Sequence, residues 1–414
     1  MSESPRHGSG GWSLIFIKGK EYECEYEAWS WEGGHRCNGG HRAYWAIGED
    51  GKQREMSRPH FKAIFDTEHE AKSQNRDLLL EGILGESQKK TRQRRMKILA
   101  NDGIDASAKA ALEAAGYTVI DEKHPQESLA QAINENEAVA LIVRSATTAR
   151  KELIDACPSL KAIARAGVGI DNIDAEYARE KGIKVINTPG ASSNSVAELV
   201  IAHLMTGIRN LHDSNRNMPA LGSEKFADLK KKYSKGTEAA GKTIGIVGFG
   251  RIGQAVARMA IGLGMKPVAY DTMVTSAAIT VEIFDGQKLT VEIETKPLDE
   301  VLRTSDFVTI HVPGGTPIGS AEIQMMKDGA AIINTSRGNA AEEQAVLDAL
   351  ESGKLSFAAL DVFKGEPSPR RDLLENSKIS LTPHIGAATE EAQKRIGEEL
   401  AEKLIAELSV DVDA

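Results

Sequence analysis

Residues 241–271, GKTIGIVGFGRIGQAVARMAIGLGMKPVAYD, constrain the chain more than any other stretch. An apolar run, TIGIV, leads into Gly248-Phe249-Gly250-Arg251-Ile252-Gly253, and an amphipathic helical pattern follows at once. A second apolar run, PVAY, ends in Asp271, 18 residues past Gly253. Clustered glycines alone mean little. Set between a strand and a helix, with an acid closing the next strand, they are the pattern of a dinucleotide-binding βαβ unit. Gly248 permits the tight turn, Gly250 lets the backbone approach a pyrophosphate, and Gly253 lets helix and strand pack closely. The helix N-terminus offers amide donors and the positive end of its dipole to phosphates. Asp271 would accept hydrogen bonds from ribose hydroxyls and repel a 2'-phosphate, which favours NAD over NADP. A tight strand–helix turn that binds nothing is the competing reading.

The surrounding sequence supplies the rest of such a fold. From Met96, apolar runs alternate with helical patterns: KILAN, DASAKAALEAAG, YTVID, PQESLAQAINE, AVALIVR, and so on to IKVINTPG. That rhythm specifies a parallel sheet with helices on both faces. A long helical stretch, residues 194–210, joins this half to the dinucleotide half. After Asp271, ITVEIFDGQKLTVEIE (279–294) alternates around Asp285-Gly286, which reads as an inserted β-hairpin.

Residues 1–95 have a different texture and hold all four tryptophans. They read as a small α+β extension. Strands fall in SLIFIKGKEYECEYEAW, a hairpin turn at Asp50-Gly51, a helix behind a capping box from Thr67 to Glu70, and a basic linker over 87–95. An upstream start, with Met96 as the true beginning, is the alternative. Cys24, His35, Cys37 and His41 match no zinc-finger spacing and read as loop residues, so no metal is expected.

Composition excludes several classes. A net charge of -9 argues against a nucleic-acid or anionic-membrane partner. No apolar run approaches a membrane span, and the opening residues are not a signal segment. Three cysteines make no disulfide framework, so a reducing, cytoplasmic setting is expected.

Three later segments carry chemistry. INTSRG puts Arg337 after an apolar strand, ALDVFKGEP puts Glu366 in a loop after another, and LTPHIG puts His384 past a third. Residues just beyond strand C-termini line the ligand crevice of a parallel sheet. Each alone has an ordinary structural reading: a surface charge, a turn, a satisfied histidine. Behind a dinucleotide loop, the three together suggest proton transfer beside a nicotinamide.

From Met96 onward, about three quarters of the chain resembles the D-isomer-specific 2-hydroxyacid dehydrogenase family, and within it the short D-3-phosphoglycerate dehydrogenases. The resemblance rests on RSATT (144–148), RAGVGIDNID (165–174), INTPG (186–190), NSVAEL (194–199), GFGRIG, HVP (311–313), INTSRG, ALDVF and TPHIGAAT. It implies an α/β fold of two Rossmann-like, doubly wound parallel-sheet domains with a cleft between them. The substrate domain would comprise 96–193 and 386–414, and the NAD domain 194–385. It also implies that Arg337 binds and polarises the substrate, that His384 is the general base, and that Glu366 fixes its tautomer. Cofactor contacts would come from Gly248, Gly250, Arg251, Ile252, Gly253, Asp271, His311, Val312, Pro313, Thr335 and Gly386. Asp361 would orient the nicotinamide amide. Arg144, Ser145, Arg165, Val168 and Gly169 would meet the substrate, with Arg165 on a phosphate and Asn194 at the hinge. A homodimer formed through about 200–240 is carried over in the same way.

Two departures qualify the match. The chain stops soon after the closing helix, so the regulatory domain of longer relatives is not expected. RGNAAEEQ places Asn339 and Ala341 where a Gly-Gly-(Leu/Val)-Val-Asp-Glu pattern is usual. The expected activity is NAD-dependent oxidation of D-3-phosphoglycerate, the first step of serine biosynthesis. The alternatives are another 2-keto acid (glyoxylate, hydroxypyruvate, 2-oxoglutarate or pyruvate, the last giving D-lactate) or an NAD-sensing, corepressor-like binding role.

Overall fold

A computed structural model describes residues 11–17, 20–26, 44–47, 53–56, 96–315 and 317–409. The chain divides into two compact units, Met1–Arg94 and Arg95–Ala414. In the first, β1 (Gly11–Ile17), β2 (Lys20–Tyr26), β3 (Tyr44–Ile47) and β4 (Gln53–Met56) form an antiparallel sheet in that order. The expected turn at Asp50-Gly51, the capped helix at Thr67, the linker, and His35, Cys37 and His41 lie outside the described residues.

The second unit carries two parallel sheets. β5 (Lys97–Ala100), β6 (Thr118–Ile120), β7 (Ala138–Val143), β8 (Ala162–Arg165) and β9 (Lys184–Asn187) stand in the order β6-β5-β7-β8-β9. Between them run α1 (Ala106–Ala114), α2 (Leu129–Asn136), α3 (Lys151–Ala156) and α4 (Ala175–Glu180). The central strands KILA, AVALIV and AIAR are short apolar runs because helices cover both faces, leaving no polar side to alternate with. α1 starts where the Asp105 side chain accepts from the Ser107 amide at 2.9 Å, an N-cap that satisfies one orphan donor.

α5 (Ser193–Ile208) crosses to the second sheet, followed by α6 (Leu211–Leu221) and α7 (Phe226–Lys232). The second sheet has the order β11-β10-β14-β15-β16-β17. Its strands are β10 (Thr243–Val247) and β11 (Lys266–Tyr270), joined by α8 (Arg251–Gly262), and then β14 (Phe307–Ile310), β15 (Ala330–Asn334), β16 (Leu355–Leu360) and β17 (Ile379–Leu381). All its pairings are parallel.

The insertion after Asp271 is a hairpin of β12 (Ser276–Glu282) and β13 (Lys288–Glu294), starting three residues earlier than the alternation suggests. Asp285 (φ 69°) and Gly286 (φ 75°) are both left-handed and reverse the chain within a three-residue loop, Phe284 to Gly286, closed by Ile283 N donating to Gln287 O at 2.7 Å. Ile279 and Ile293 turn inward to the core shared with α8, and Lys296 N donates to Ala269 O at 2.7 Å, tying the hairpin to β11. Further helices α9 (Leu298–Thr304), α10 (Ser320–Met325), α11 (Glu343–Ser352) and α12 (Arg371–Glu375) complete this half.

The closing helix, α13 (Glu390–Ser409), returns to the first sheet. Its Leu400, Leu404 and Leu408 are buried with Ile98, Leu112, Ala140 and Ile186.

Candidate active site

The glycine loop leaves β10 with Gly248 at φ 98°. A Cβ on Gly248 would stand 2.5 Å from His311 O, and one on Gly253 would stand 2.2 Å from Gly248 O. The loop therefore exists only because both side chains are missing. At Gly250 nothing stands within 4 Å of a Cβ position, so the space above the N-terminus of α8 is open. Arg251 opens that helix, and Ile252 leans on the core below.

Asp271 closes β11 and accepts from Phe249 N (2.6 Å), Met273 N (2.7 Å) and Val274 N (3.0 Å). Burial opposes its ionisation, but these backbone donors hold its carboxyl below the usual range. The expected ribose acceptor is thus fixed beside the glycine loop and charged. His311, half-buried just past β14, meets Thr309 Oγ1 with Nε2 at 2.9 Å, while its Nδ1 and Thr335 Oγ1 are buried without a protein partner. Burial pushes the His311 imidazole down to about 3. Val312 packs against the Gly248 turn, and Pro313 follows in the bend. An open phosphate cradle, a charged acceptor and two unmet polar atoms fit a dinucleotide.

Arg337 is presented by a turn that Asn334 builds. Asn334 Oδ1 accepts from Ser336 N (3.1 Å) and Ser336 Oγ (2.9 Å), and its Nδ2 donates to Arg337 O (2.8 Å). The guanidinium gives one bond to Ser336 O (2.7 Å) and one from Nε to Asp171 Oδ2 (3.0 Å). Asp171 belongs to the loop beyond β8, so this ion pair joins the two sheets. The guanidinium also packs on the backbone of Gly169, where a Cβ would sit 1.9 Å from Arg337 Nη2.

Glu366 and His384 meet as expected from their order along the sheet. His384 Nδ1 lies 2.8 Å from Glu366 Oε2, and Glu366 Oε1 accepts from Phe363 N at 2.8 Å. Both side chains are partly exposed, at 47% and 36%. An ionised Glu366 only accepts, so Nδ1 carries a proton and Nε2 remains to exchange one. His384 itself is left-handed, at φ 55°, a conformation a non-glycine residue adopts only when held. Its N–H donates to Asp361 O at 2.8 Å. The buried Asp361 carboxylate accepts from Thr382 Oγ1 (2.6 Å), Ile385 N (2.8 Å) and Gly386 N (3.0 Å). Burial pushes the Asp361 carboxyl up against these donors. Asp361, expected beside the nicotinamide amide, thus also clamps the loop that carries His384.

Arg144 follows β7, and its amide donates to Asp102 Oδ2 at 2.7 Å, while its guanidinium reaches Gln393 at the start of α13. Arg165 ends β8 and donates to Ser145 Oγ (3.3 Å) and Ala166 O (3.1 Å), with its Nε buried and unpartnered. Burial, then the charges of Arg337 and Arg144, lower its pKa, so both of those guanidiniums lie within electrostatic reach of Arg165. Val168 O accepts from Asn187 Nδ2 at 2.6 Å, fixing the loop whose amides precede Gly169. Asn194 stands apart from this group: its amide is taken by Arg258 (2.6 Å) and Glu198 (2.6 Å).

Sequence reasoning missed Asp171 and Asp102. Asp171 sits inside RAGVGIDNID, but the arginine it pairs with, Arg337, lies 166 residues away, so the segment itself gave no signal of the pair. Asp102 gave none, because its role in shaping the 144–147 turn, through Arg144 N, Thr147 N and Thr147 Oγ1, spans 42 to 45 residues. Among the described residues no helix is long and apolar enough to cross a membrane.

A sequence model described as "D-isomer specific 2-hydroxyacid dehydrogenase, NAD binding domain" matches residues 201–386. The chain is 41% identical over 324 residues to a hydroxypyruvate reductase of Thermotoga maritima, covering 76% of this chain and 99% of that one. It is 39% identical over 317 residues to the D-3-phosphoglycerate dehydrogenase of Methanocaldococcus jannaschii, covering 75% of this chain but 57% of that longer protein. The NAD+-bound 3-phosphoglycerate dehydrogenase of Entamoeba histolytica superposes with a TM-score of 0.60 at 27% identity, over 76% of this chain and 96% of that one.

Proposed function

The chain belongs to the D-isomer-specific 2-hydroxyacid dehydrogenases, NAD-dependent oxidoreductases, and we propose that it interconverts D-3-phosphoglycerate and 3-phosphohydroxypyruvate. The grouping of Arg144, Arg165 and Arg337 carries this reading. Three guanidiniums, against the carboxylates of Asp102 and Asp171, suit a substrate with a carboxylate at one end and a phosphate at the other.

Arg337 takes the substrate carboxylate and carbonyl, helped by the backbone amides of Val168 and Gly169. Arg165 and Arg144 take the phosphate. Bound NAD supplies the hydride acceptor, or as NADH the donor, at C2. His384 exchanges the proton through Nε2: it receives the hydroxyl proton during oxidation and returns it to the carbonyl oxygen during reduction. Glu366 holds the ring by Nδ1 and fixes its tautomer. A base placed in this way contributes about 10²–10⁴-fold to rate. Leu211, Met218 and Phe226, exposed on α6 and α7, support a homo-oligomer built on this arm.

A second reading is favoured by the Thermotoga relative, named a hydroxypyruvate reductase and matched over nearly its full length. Hydroxypyruvate has the same carboxylate and carbonyl without the phosphate, so Arg165 separates the two. NADH oxidation would be measured against 3-phosphohydroxypyruvate, hydroxypyruvate, glyoxylate, 2-oxoglutarate and pyruvate, with His384→Asn as the inactive control. The phosphorylated acid should be preferred. Arg165→Ala should lower its kcat/KM by about 10–100-fold, the worth of a lost charged hydrogen bond, with little change for hydroxypyruvate. Preference for hydroxypyruvate, or an equal loss on both acids, would select the second reading.

A further inference from the structure

A buried line of hydrogen bonds runs beneath the His384 loop and begins on a different element. His203 lies on the inner side of α5 and is 3% exposed. Its Nδ1 is 2.9 Å from Ser380 Oγ in β17, and its Nε2 is 3.0 Å from Thr382 Oγ1 just beyond that strand. Thr382 Oγ1 is in turn 2.6 Å from Asp361 Oδ1, the carboxylate that also receives the amides of Ile385 and Gly386. His384 sits between those anchor points with its backbone left-handed.

The Asp361 end sets the direction of every bond. An ionised carboxylate can only accept, so the Thr382 hydroxyl donates to it. The oxygen of Thr382 is then left to accept, and the proton between it and the ring belongs to His203 Nε2. Nδ1 is therefore the acceptor, and Ser380 donates. Burial favours this neutral ring, pushing the His203 imidazole down to about 4. A ring placed only to fill space would not need two partnered nitrogens, because an apolar side chain fills space without burying polar atoms.

We propose that His203 is a positioning residue for the dehydrogenase reaction: its Nε2–H orients Thr382 onto Asp361, and the Asp361 clamp holds His384 where it can exchange the substrate proton. The effect on turnover rests on the dehydrogenase reading above; the effect on the loop does not. Glutamine and asparagine separate the two arms of the ring. The Gln amide reaches about where Nε2 stands, and the Asn amide about where Nδ1 stands.

The experiment compares His203→Leu, His203→Asn, His203→Gln and Thr382→Val by steady-state reduction of the preferred keto acid and by amide hydrogen exchange at Ile385 and Gly386. Leu, Asn and the Thr382 variant should lose about tenfold or more in kcat, the scale of a small misplacement of a reacting group. Their KM for NADH should move less than about twofold, since the cradle at Gly248–Gly253 is untouched. Exchange at Ile385 and Gly386 should quicken in the same three variants. His203→Gln should restore both, and His203→Leu combined with Thr382→Val should be no worse than either alone. Unchanged kcat in His203→Leu and Thr382→Val, or equal behaviour of the Asn and Gln variants, would overturn the proposal. If the wild type turns over none of the acids, the functional reading fails. Amide exchange then decides the positioning role alone, with slow exchange in every variant counting against it.

Discussion

His203 and His311 are imidazoles kept neutral by burial, and this makes the protein acid-sensitive at two known places. In an unfolded chain an imidazole titrates near 6.5; in the fold His203 titrates near 4 and His311 near 3. Between these values the unfolded chain binds protons that the folded chain refuses, so stability falls as pH falls through the window. For His203 the loss comes to roughly 3 kcal/mol by pH 4, taking 1.36 kcal/mol per pH unit. His203→Gln should shed that share. Its urea midpoint should drop less between pH 7 and pH 4.5 than that of the wild type, and equal drops would refute the assignment. The two kinds of histidine also show what a sequence reveals. His384 was legible because Pro383 and the Gly386 turn placed it just past a strand, with Glu366 18 residues earlier in a matching position. His203 was not, since a histidine in a helical apolar run reads as ordinary core until the fold brings Ser380 and Thr382 to it.

At the scale of elements, the strand–loop–helix of 241–271 was the most legible part, because its steric demands fall on neighbouring residues. The Gly253 position is bounded by backbone, the Gly248 carbonyl, rather than by a side chain that could rotate away. Gly253→Val should therefore push the loop out of shape and weaken NADH binding by about tenfold or more, near 1.4 kcal/mol. A fluorescence titration checks this, and unchanged affinity would mean that the cradle is formed elsewhere. The hairpin was legible for the same local reason: Asp285-Gly286 carries both left-handed residues that its turn needs. What could not be read was the joining of elements distant in sequence. The Arg337–Asp171 pair spans 166 residues, and no pattern around either residue announces the other.

For the whole molecule, the alternation of strands and helices after Met96 implied parallel-sheet structure covered by helices, the resemblance implied two such domains, and the fold has two parallel sheets. The strand orders and the burial of α13 depend on long-range packing, which periodicity does not encode; the returning helix came from the resemblance. Leu404, fully buried in α13, lies against the first sheet. Leu404→Ala should cost about 2–5 kcal/mol in chemical denaturation, and a loss below 1 kcal/mol would mean that the helix is only loosely docked. That packing also imposes an order on synthesis. Ile98 emerges from the ribosome about 300 residues before Leu404, a delay of roughly 15–60 s at ordinary elongation rates. Throughout that interval the first sheet lacks the helix that covers one of its faces. A nascent chain of this architecture is a natural client for chaperones, and a message truncated before residue 390 would yield a protein with an intact glycine loop and an uncovered apolar face.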